Sequence, residues 1–302
     1  MTKFDVYLYG MILATNSFLL KNEYPEADTY GEIKEKYKLP GGETGTCATI
    51  LESLGCTVKI DGNHMGKNVF PTIQKFYRDK NVDISSLTFD DNYDGLEDYV
   101  IIDKYTRTPF GTFQSYYSDP VKRWNKPSLT DIKKAEIVGL DPYFGEESEM
   151  AAELCKNENK KYVTIDCRYD SIIHKNSSVN ILSGEFFSSV YPDIKDYEQL
   201  FYKYIENSDG LVIFTKGSKE FIYGRKTTGI KTYVPYKVNT VSTLGAGDTF
   251  KAGCVYALLK NMTDEETVSF ASACAAVACT RFPLPLNPPK LDDVIQLQKS
   301  RT

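Results

Sequence analysis

The sequence predicts an α/β fold built on a mostly parallel central sheet. Three observations lead there. Short apolar runs of strand length alternate with stretches of helical periodicity, the pattern of βαβ units. Several of these runs stop at a glycine or an aspartate, and ligands gather at the strand ends of such sheets. One stretch, Val238 to Phe250, reads as a strand end, a tight glycine turn and a helix start. The 302 residues suit a single domain covering 1–302 with a well-buried core.

Composition narrows the function classes. Hydrophobic residues at 41% and charged residues at 25% fit a soluble globular protein. A net charge of −5 with no basic tract argues against a nucleic-acid partner. A nucleotide stays open, because it needs only a local cradle. No apolar run is long enough to span a bilayer, and Met1-Thr2-Lys3-Phe4 does not open a signal peptide. The seven cysteines have no zinc-finger spacing, and only His64 and His174 accompany them. Buried free thiols are expected, and with them a cytoplasmic protein.

Asp5 to Gly10 is the first strand. Tyr24 to Leu39 is charged and tyrosine-rich without a helical stripe, so it reads as an exposed ribbon. Pro40-Gly41-Gly42 then turns into a helix through Ala48, Ile50, Leu51 and Leu54. Val58 to Gly62 is the next strand, and His64 follows it in a loop. Pro71 suits a first helical turn, with Ile73, Phe76 and Tyr77 as its apolar stripe. Residues 98–117 alternate: Tyr99, Ile101 and Asp103 against Asp98, Val100 and Ile102. Two antiparallel strands around Lys104 to Arg107 are expected there, the second reaching Tyr117. Ile137–Asp141, Tyr162–Asp166 and Leu211–Phe214 continue the sheet, with a helix from Glu146 to Lys156. Thr263 to Glu266 is a capping box that opens a helix. The small-residue run Phe270 to Arg281 extends that helix, the prolines between 283 and 289 end it, and a short helix closes the chain.

The glycine turn carries the chemistry. Gly245 and Gly247 have no Cβ, so another molecule can approach their backbone. Beyond them Ala246, Phe250, Gly253, Cys254, Ala257 and Leu258 fall on one helical face, expected to be the buried one. The unpaired N–H groups of that helix start attract anions, phosphate above all. Asp248 sits in the first turn, where the helix dipole favours an ionised carboxylate. A cradle with a carboxylate beside it can hold a phosphoryl group and accept a proton from an attacking hydroxyl. The same turn can also simply start a helix, with Asp248 as its N-terminal charge. A Walker loop is excluded because no Gly-Lys-Ser/Thr follows. A Rossmann turn needs a third glycine where Phe250 stands.

From Val238 to Gly253, Val-x-x-Val-Ser-Thr-Leu-Gly-Ala-Gly-Asp-Thr-Phe-x-Ala-Gly resembles the C-terminal motif of the ribokinase-like (PfkB-type) carbohydrate and nucleoside kinases. Gly41, Gly42, Thr46, Ala48, Leu54 and Gly55 resemble the family's N-terminal Gly-Gly-x-x-x-Asn-x-Ala-x5-Leu-Gly motif at intact spacing, with Thr46 in place of the asparagine. The resemblance runs from Gly10 to Arg281. It implies a three-layer sandwich with a small β-strand lid formed from about 12–38 and 96–118. It implies ATP and Mg²⁺ as cofactors, Gly245, Ala246 and Gly247 as the anion hole, and Asp248 as the catalytic base. ATP would meet Ser183, Thr215, Gly217 and Ser272, and Glu185 would act on Mg²⁺ through water. Gly41, Gly42 and Thr46 would contact the substrate. The family's substrate carboxylate falls on Thr15 here, and Asn16 is the better candidate because its amide both donates and accepts. Asp166 and Arg168 resemble an Asp-x-Asn-x-Arg stretch only loosely. A lid of this kind excludes water and often carries a dimer contact, so a homodimer through the lid is implied.

Thr15, Thr46, Ser183, Glu220 and Ser242 depart from the family pattern. Ser242 replaces an aspartate that helps hold a monovalent cation in several members, which argues against potassium activation. The expected function is transfer of the ATP γ-phosphate to a hydroxyl of a small sugar or sugar-like substrate. A nucleoside acceptor and a non-catalytic sensor on the same fold are the alternatives.

Overall fold

In chain order the strands are β1 (Phe4–Gly10), β2 (Leu13–Leu20), β3 (Ile33–Gly41), β4 (Val58–Gly62), β5 (Met65–Gly66), β6 (Val82–Asp83), β7 (Phe89–Asp90), β8 (Glu97–Ile102), β9 (Arg107–Gly111), β10 (Ala135–Leu140), β11 (Tyr162–Ile165), β12 (Val179–Leu182), β13 (Leu211–Phe214), β14 (Phe221–Arg225) and β15 (Gly229–Tyr233). They come from a computed structural model that describes residues 3–194 and 196–301. The central sheet runs β15-β14-β13-β12-β11-β10-β1-β4-β6. It is parallel from β6 to β13, and β14 and β15 close one edge antiparallel.

The strand order reverses at β1. From there the chain moves out to β4 and β6 on one side and later builds β10 to β13 on the other. Such a switch point opens a crevice beyond the strands' carboxyl ends. Gly10 and Asp141 stand at that crevice, and the Asp141 N–H donates to the Tyr9 carbonyl at 3.0 Å.

Period-two alternation divides the core into layers. Val6 and Leu8 face one apolar cluster, while Tyr7 and Tyr9 face the other. The first cluster is shared with the helices Gly42–Ser53, Ala246–Leu259 and Asp264–Cys279, and the second with Glu146–Asn157. Thr263 and Glu266 form the expected capping box, with bonds of 3.3 and 2.8 Å. The cysteines are free, and all except Cys279 are buried. Among the described residues no helix is long and apolar enough to cross a membrane.

Two expectations change. The helix Ala246–Leu259 is buried on every side from Thr249 to Ala257, not along one face. It lies between the sheet and the helix Asp264–Cys279, which comes so close that a Cβ on Gly253 would meet the Ala271 Cα at 2.6 Å. The segment expected as a strand up to Tyr117 becomes a short helix, Phe113–Ser118. There the buried Tyr116 donates its hydroxyl to the Arg123 carbonyl at 2.8 Å and packs its ring on Trp124.

A second sheet, β3-β2-β8-β9, lies over the crevice. Its outer pairs are antiparallel, and β2 and β8 run parallel. Its strands lie within 13–41 and 97–111, and β3 continues to Gly41.

Candidate active site

The crevice and the small sheet enclose a cavity of about 280 Å³. Its floor is the glycine turn. Gly245 adopts φ +77°, a left-handed conformation that suits glycine, and a Cβ there would strike Leu284 at 2.8 Å. A Cβ on Gly247 would meet nothing within 4 Å, so its backbone is open to the cavity. Ala246 differs from expectation. It does not line the cavity, and its N–H bonds to the Thr243 carbonyl at 3.2 Å. The cradle therefore rests on Gly245 and Gly247, because the tight turn uses the Ala246 donor internally.

Asp248 rises from this floor. Burial first, then the nearby Asp141 charge, push its pKa up to about 6. Lys251, Arg107 and a hydrogen bond from Thr46 pull the other way. Desolvation thus outweighs the helix dipole, and a carboxyl near 6 is still mostly ionised at neutral pH. Below it Asp141 and Lys251 form an ion pair with almost no exposure. The Lys251 pKa is raised: burial, the largest influence, opposes its charge, but Asp141, Cys47 and Glu43 together outweigh it. The other Asp141 oxygen accepts from the Met11 N–H at 2.9 Å and the Thr44 hydroxyl at 2.8 Å. Gly10 is needed beside it, since a Cβ would lie 2.0 Å from that oxygen. Glu43 also lines the cavity, and burial with Asp141 and Asp248 raises its pKa to about 8.

Sequence reasoning missed Asp141, Lys251 and Glu43. A signal was present: an apolar strand ends in Asp141, and a lysine interrupts an otherwise small and apolar helix. It also missed the wall formed by Phe282 to Pro285 and Tyr143.

Gly41, Gly42 and Thr46 line the cavity. Gly41 admits the Thr15 hydroxyl, which would lie 1.8 Å from a Cβ at that position. Asn16 is a correction. Strand alternation turns Leu13, Thr15 and Ser17 into the cavity and Asn16 away from it. The Asn16 amide instead donates to Glu97 at 2.8 Å and to the Asp98 carbonyl at 3.2 Å, and Lys38 joins Glu97 at 2.6 Å. Asp98 and Val100 of β8 also face the cavity, as does Arg107 of β9.

At the opposite wall Ser183 caps the helix Gly184–Val190 by accepting from the Phe186 N–H at 3.0 Å. Its own N–H and hydroxyl donate to the Asp166 carboxylate at 2.7 and 3.0 Å. Burial raises Asp166 to about 6 despite these bonds, and the residue sits at φ +52°. Thr215 lies on the neighbouring strand end, where its N–H and hydroxyl donate to the Leu182 carbonyl at 2.8 and 3.2 Å. Gly217 follows in an exposed loop at φ +61°. Neither lines the cavity. Ser272 is also outside it and only 4% exposed, so the reading of Ser272 as a nucleotide contact is not supported. Its helix is buried nearly all round, which leaves that hydroxyl almost no surface to offer. Ser242 accepts from the Leu244 N–H at 3.2 Å and so stiffens the turn.

Glu185 stands at the rim with an 84% exposed side chain, 3.9 Å from Arg107. Among the described residues no three His, Cys, Asp or Glu side chains form a metal cage. Magnesium bound to nucleotide phosphates keeps most of its waters and needs only one or two carboxylates. Glu185 and Asp166, both lining the cavity, meet that requirement.

A parallel sheet with a glycine cradle at its switch point, a carboxylate on the cradle and a small covering sheet define a ribokinase-like kinase fold. The chain belongs to the pfkB family of carbohydrate kinases, whose model matches residues 15–284. A putative ribokinase from Agrobacterium tumefaciens has a similar structure, with a TM-score of 0.82 at 16% identity, covering 99% of both chains. The Arabidopsis thaliana ribokinase complexed with ribose and ATP gives 0.78 at 16% identity, again over 99% of both chains. The 1-phosphofructokinase of Haemophilus influenzae is 33% identical over 98 residues, 32% of this chain. The match spans 30% of that relative's own length.

Proposed function

We propose that the protein transfers the γ-phosphate of ATP to a hydroxyl of a small sugar-like acceptor. One observation carries this: Asp248 lies on the open Gly245–Gly247 cradle, inside a cavity that the small sheet covers. The acceptor hydroxyl lies against Asp248, which orients it and takes its proton. A base with a pKa of about 6 is ionised at neutral pH and still basic enough to serve. The Gly247 backbone faces the transferred group, where preorganised donors stabilise developing charge. Arg107 adds a positive charge near Asp248 from the covering sheet. Nucleotide runs from the cradle along Ser183, Thr215 and Gly217. Glu185 and Asp166 hold hydrated Mg²⁺, which neutralises phosphate charge when bound. The covering sheet acts as a lid that excludes water. A cytoplasmic location fits the free cysteines.

The test is single-turnover phosphoryl transfer by Asp248→Asn. The rate should fall about 10²–10⁴-fold, while ATP affinity holds or improves. A helix-start role predicts the opposite: near-normal turnover and about 0.3–1 kcal/mol of lost stability. Near-normal turnover would remove Asp248 as the base.

A further inference from the structure

We propose that Asp98 reads the acceptor, and that the acceptor end lying against it bears no negative charge: an uncharged or ammonium-bearing polyol. The proposal rests on the kinase reading and deepens it. Thr15 and Asp98 are register partners in the parallel pair of β2 and β8, and both line the cavity. Asp98 Oδ1 is buried and has no hydrogen-bond partner among the described residues. An ionised carboxylate only accepts, so a buried, unmatched oxygen calls for a donor from a ligand, a hydroxyl or an ammonium. The Thr15 hydroxyl already donates to the Asp98 carboxylate, which leaves Oδ1 for a ligand. A carboxylate is thus supplied from β8, across the strand pair from the position where a threonine stands in β2.

The charge around the cavity sharpens the class. Glu43, Asp166, Glu185 and Asp248 line it together with Asp98. Among the described residues, the one lysine or arginine in the lining is Arg107. Arg107 serves the other end. On the β8–β9 ladder Asp98 sits opposite Gly111 and Arg107 opposite Ile102. Four residues of strand separate them, about 13 Å of rise. Arg107 also pairs with Glu185, on the wall that carries Ser183. Lys251 lies under the floor, bound to Asp141. A phosphate or carboxylate held at Asp98 would meet a carboxylate with no cation to offset it. A hydroxyl or ammonium would satisfy Oδ1. Leu13, Leu39, Val100 and Pro109 supply apolar surface for the carbon face of the same molecule.

The experiment compares acceptors that differ at one position: glucose, glucosamine and glucose 6-phosphate, and ribose against ribose 5-phosphate. Turnover, basal ATP hydrolysis and thermal shift are read for each. The unphosphorylated members should exceed their phosphorylated partners in kcat/KM by about a hundredfold. The amine arm separates an ammonium reader from a hydroxyl reader. In Asp98→Asn the acceptor KM should rise about ten- to hundredfold, more than kcat falls, and discrimination against the phosphorylated member should relax. In the double variant Thr15→Asp with Asp98→Asn, which moves the carboxylate across the strand pair, discrimination should return. A merely structural Asp98 would not move that ratio. Preference for the phosphorylated members would overturn the proposal, as would a panel in which no sugar is turned over, alters basal hydrolysis or shifts the melt. ATP turnover that ignores Asp248→Asn would instead sink the kinase reading. Asp248-dependent turnover with unchanged preference in Asp98→Asn would sink only the Asp98 assignment.

Discussion

Asp141 and Lys251 set the electrostatics of the floor. Each is nearly unexposed, and each is the other's counter-ion. Removing one partner of such a pair leaves a buried charge without compensation, which costs about 3–5 kcal/mol. Lys251→Met should therefore lower unfolding free energy by about that amount in urea titration. Adding Asp141→Asn should recover much of the loss, because the amide oxygen still accepts from Met11 and Thr44. If the double variant is no more stable than the single one, the charge pair is not the cause. The same floor shapes the pH profile. With Asp248 near pKa 6, kcat/KM should climb as pH rises through about 6 and then level. An acidic limb near 4 would mean that desolvation does not raise the base.

The helix Ala246–Leu259 connects cradle to core. Its N-terminal turn presents Gly247 and Asp248 to the cavity, while its middle is sealed against the helix Asp264–Cys279. Gly253 makes that contact possible. A methyl group there would sit 2.6 Å from the Ala271 backbone, which cannot yield as a flexible side chain could. Overpacking of this kind costs about 1–3 kcal/mol, so Gly253→Ala should lower the melting temperature measurably. An unchanged melt would show that the two helices separate freely. The movement would also carry Asp248, so activity should fall along with stability. On the covering sheet one residue of register decides which side chains meet the cavity. That is why Thr15 and Asp98 face it and Asn16 does not.

Across the whole molecule, two kinds of buried group tie stability to pH. His174 is fully buried, bonded to the Tyr204 carbonyl and Asn180, and burial lowers its pKa to about 4. Between about 4 and 6.5 the unfolded chain binds the extra proton, so this group adds stability as pH rises through that window. Glu43 acts oppositely. Its folded pKa is raised to about 8, so the folded state holds the extra proton from about 4.5 to 8. Its stabilisation is complete at low pH and is lost as pH climbs through 8. Asp98, Asp166 and Asp248, each near 6, have largely finished the same loss by neutral pH. Between pH 7 and 8 Glu43 should therefore contribute a loss of about 1 kcal/mol that Glu43→Gln removes, while the buried thiols, whose pKa values burial also raises, continue the decline toward pH 9. A variant that declines like the parent would place the titration elsewhere. The outer face of the small sheet exposes Tyr99 and Phe110, each at 49%.

Most of the parallel strands, the capping box and the glycine turn were legible in the chain. Each depends on local facts: period-two alternation, the missing Cβ of Gly245 and Gly247, and the reach of Thr263 to a neighbouring turn. The sequence alone thus determined the α/β class and, by motif, the kinase family. Tertiary structure decided the rest. Asp141 and Lys251 are 110 residues apart, and Thr15 and Asp98 lie on strands that pair only after the chain has built β3, β4 and β6 between them. No local pattern encodes such meetings. The pKa of Asp248 likewise follows from burial and from Asp141, not from its place in the first turn. Asn16 was misassigned for the same reason: its chemistry suits a sugar, but the sheet's register turns that side chain away, and register is set by pairing with distant strands.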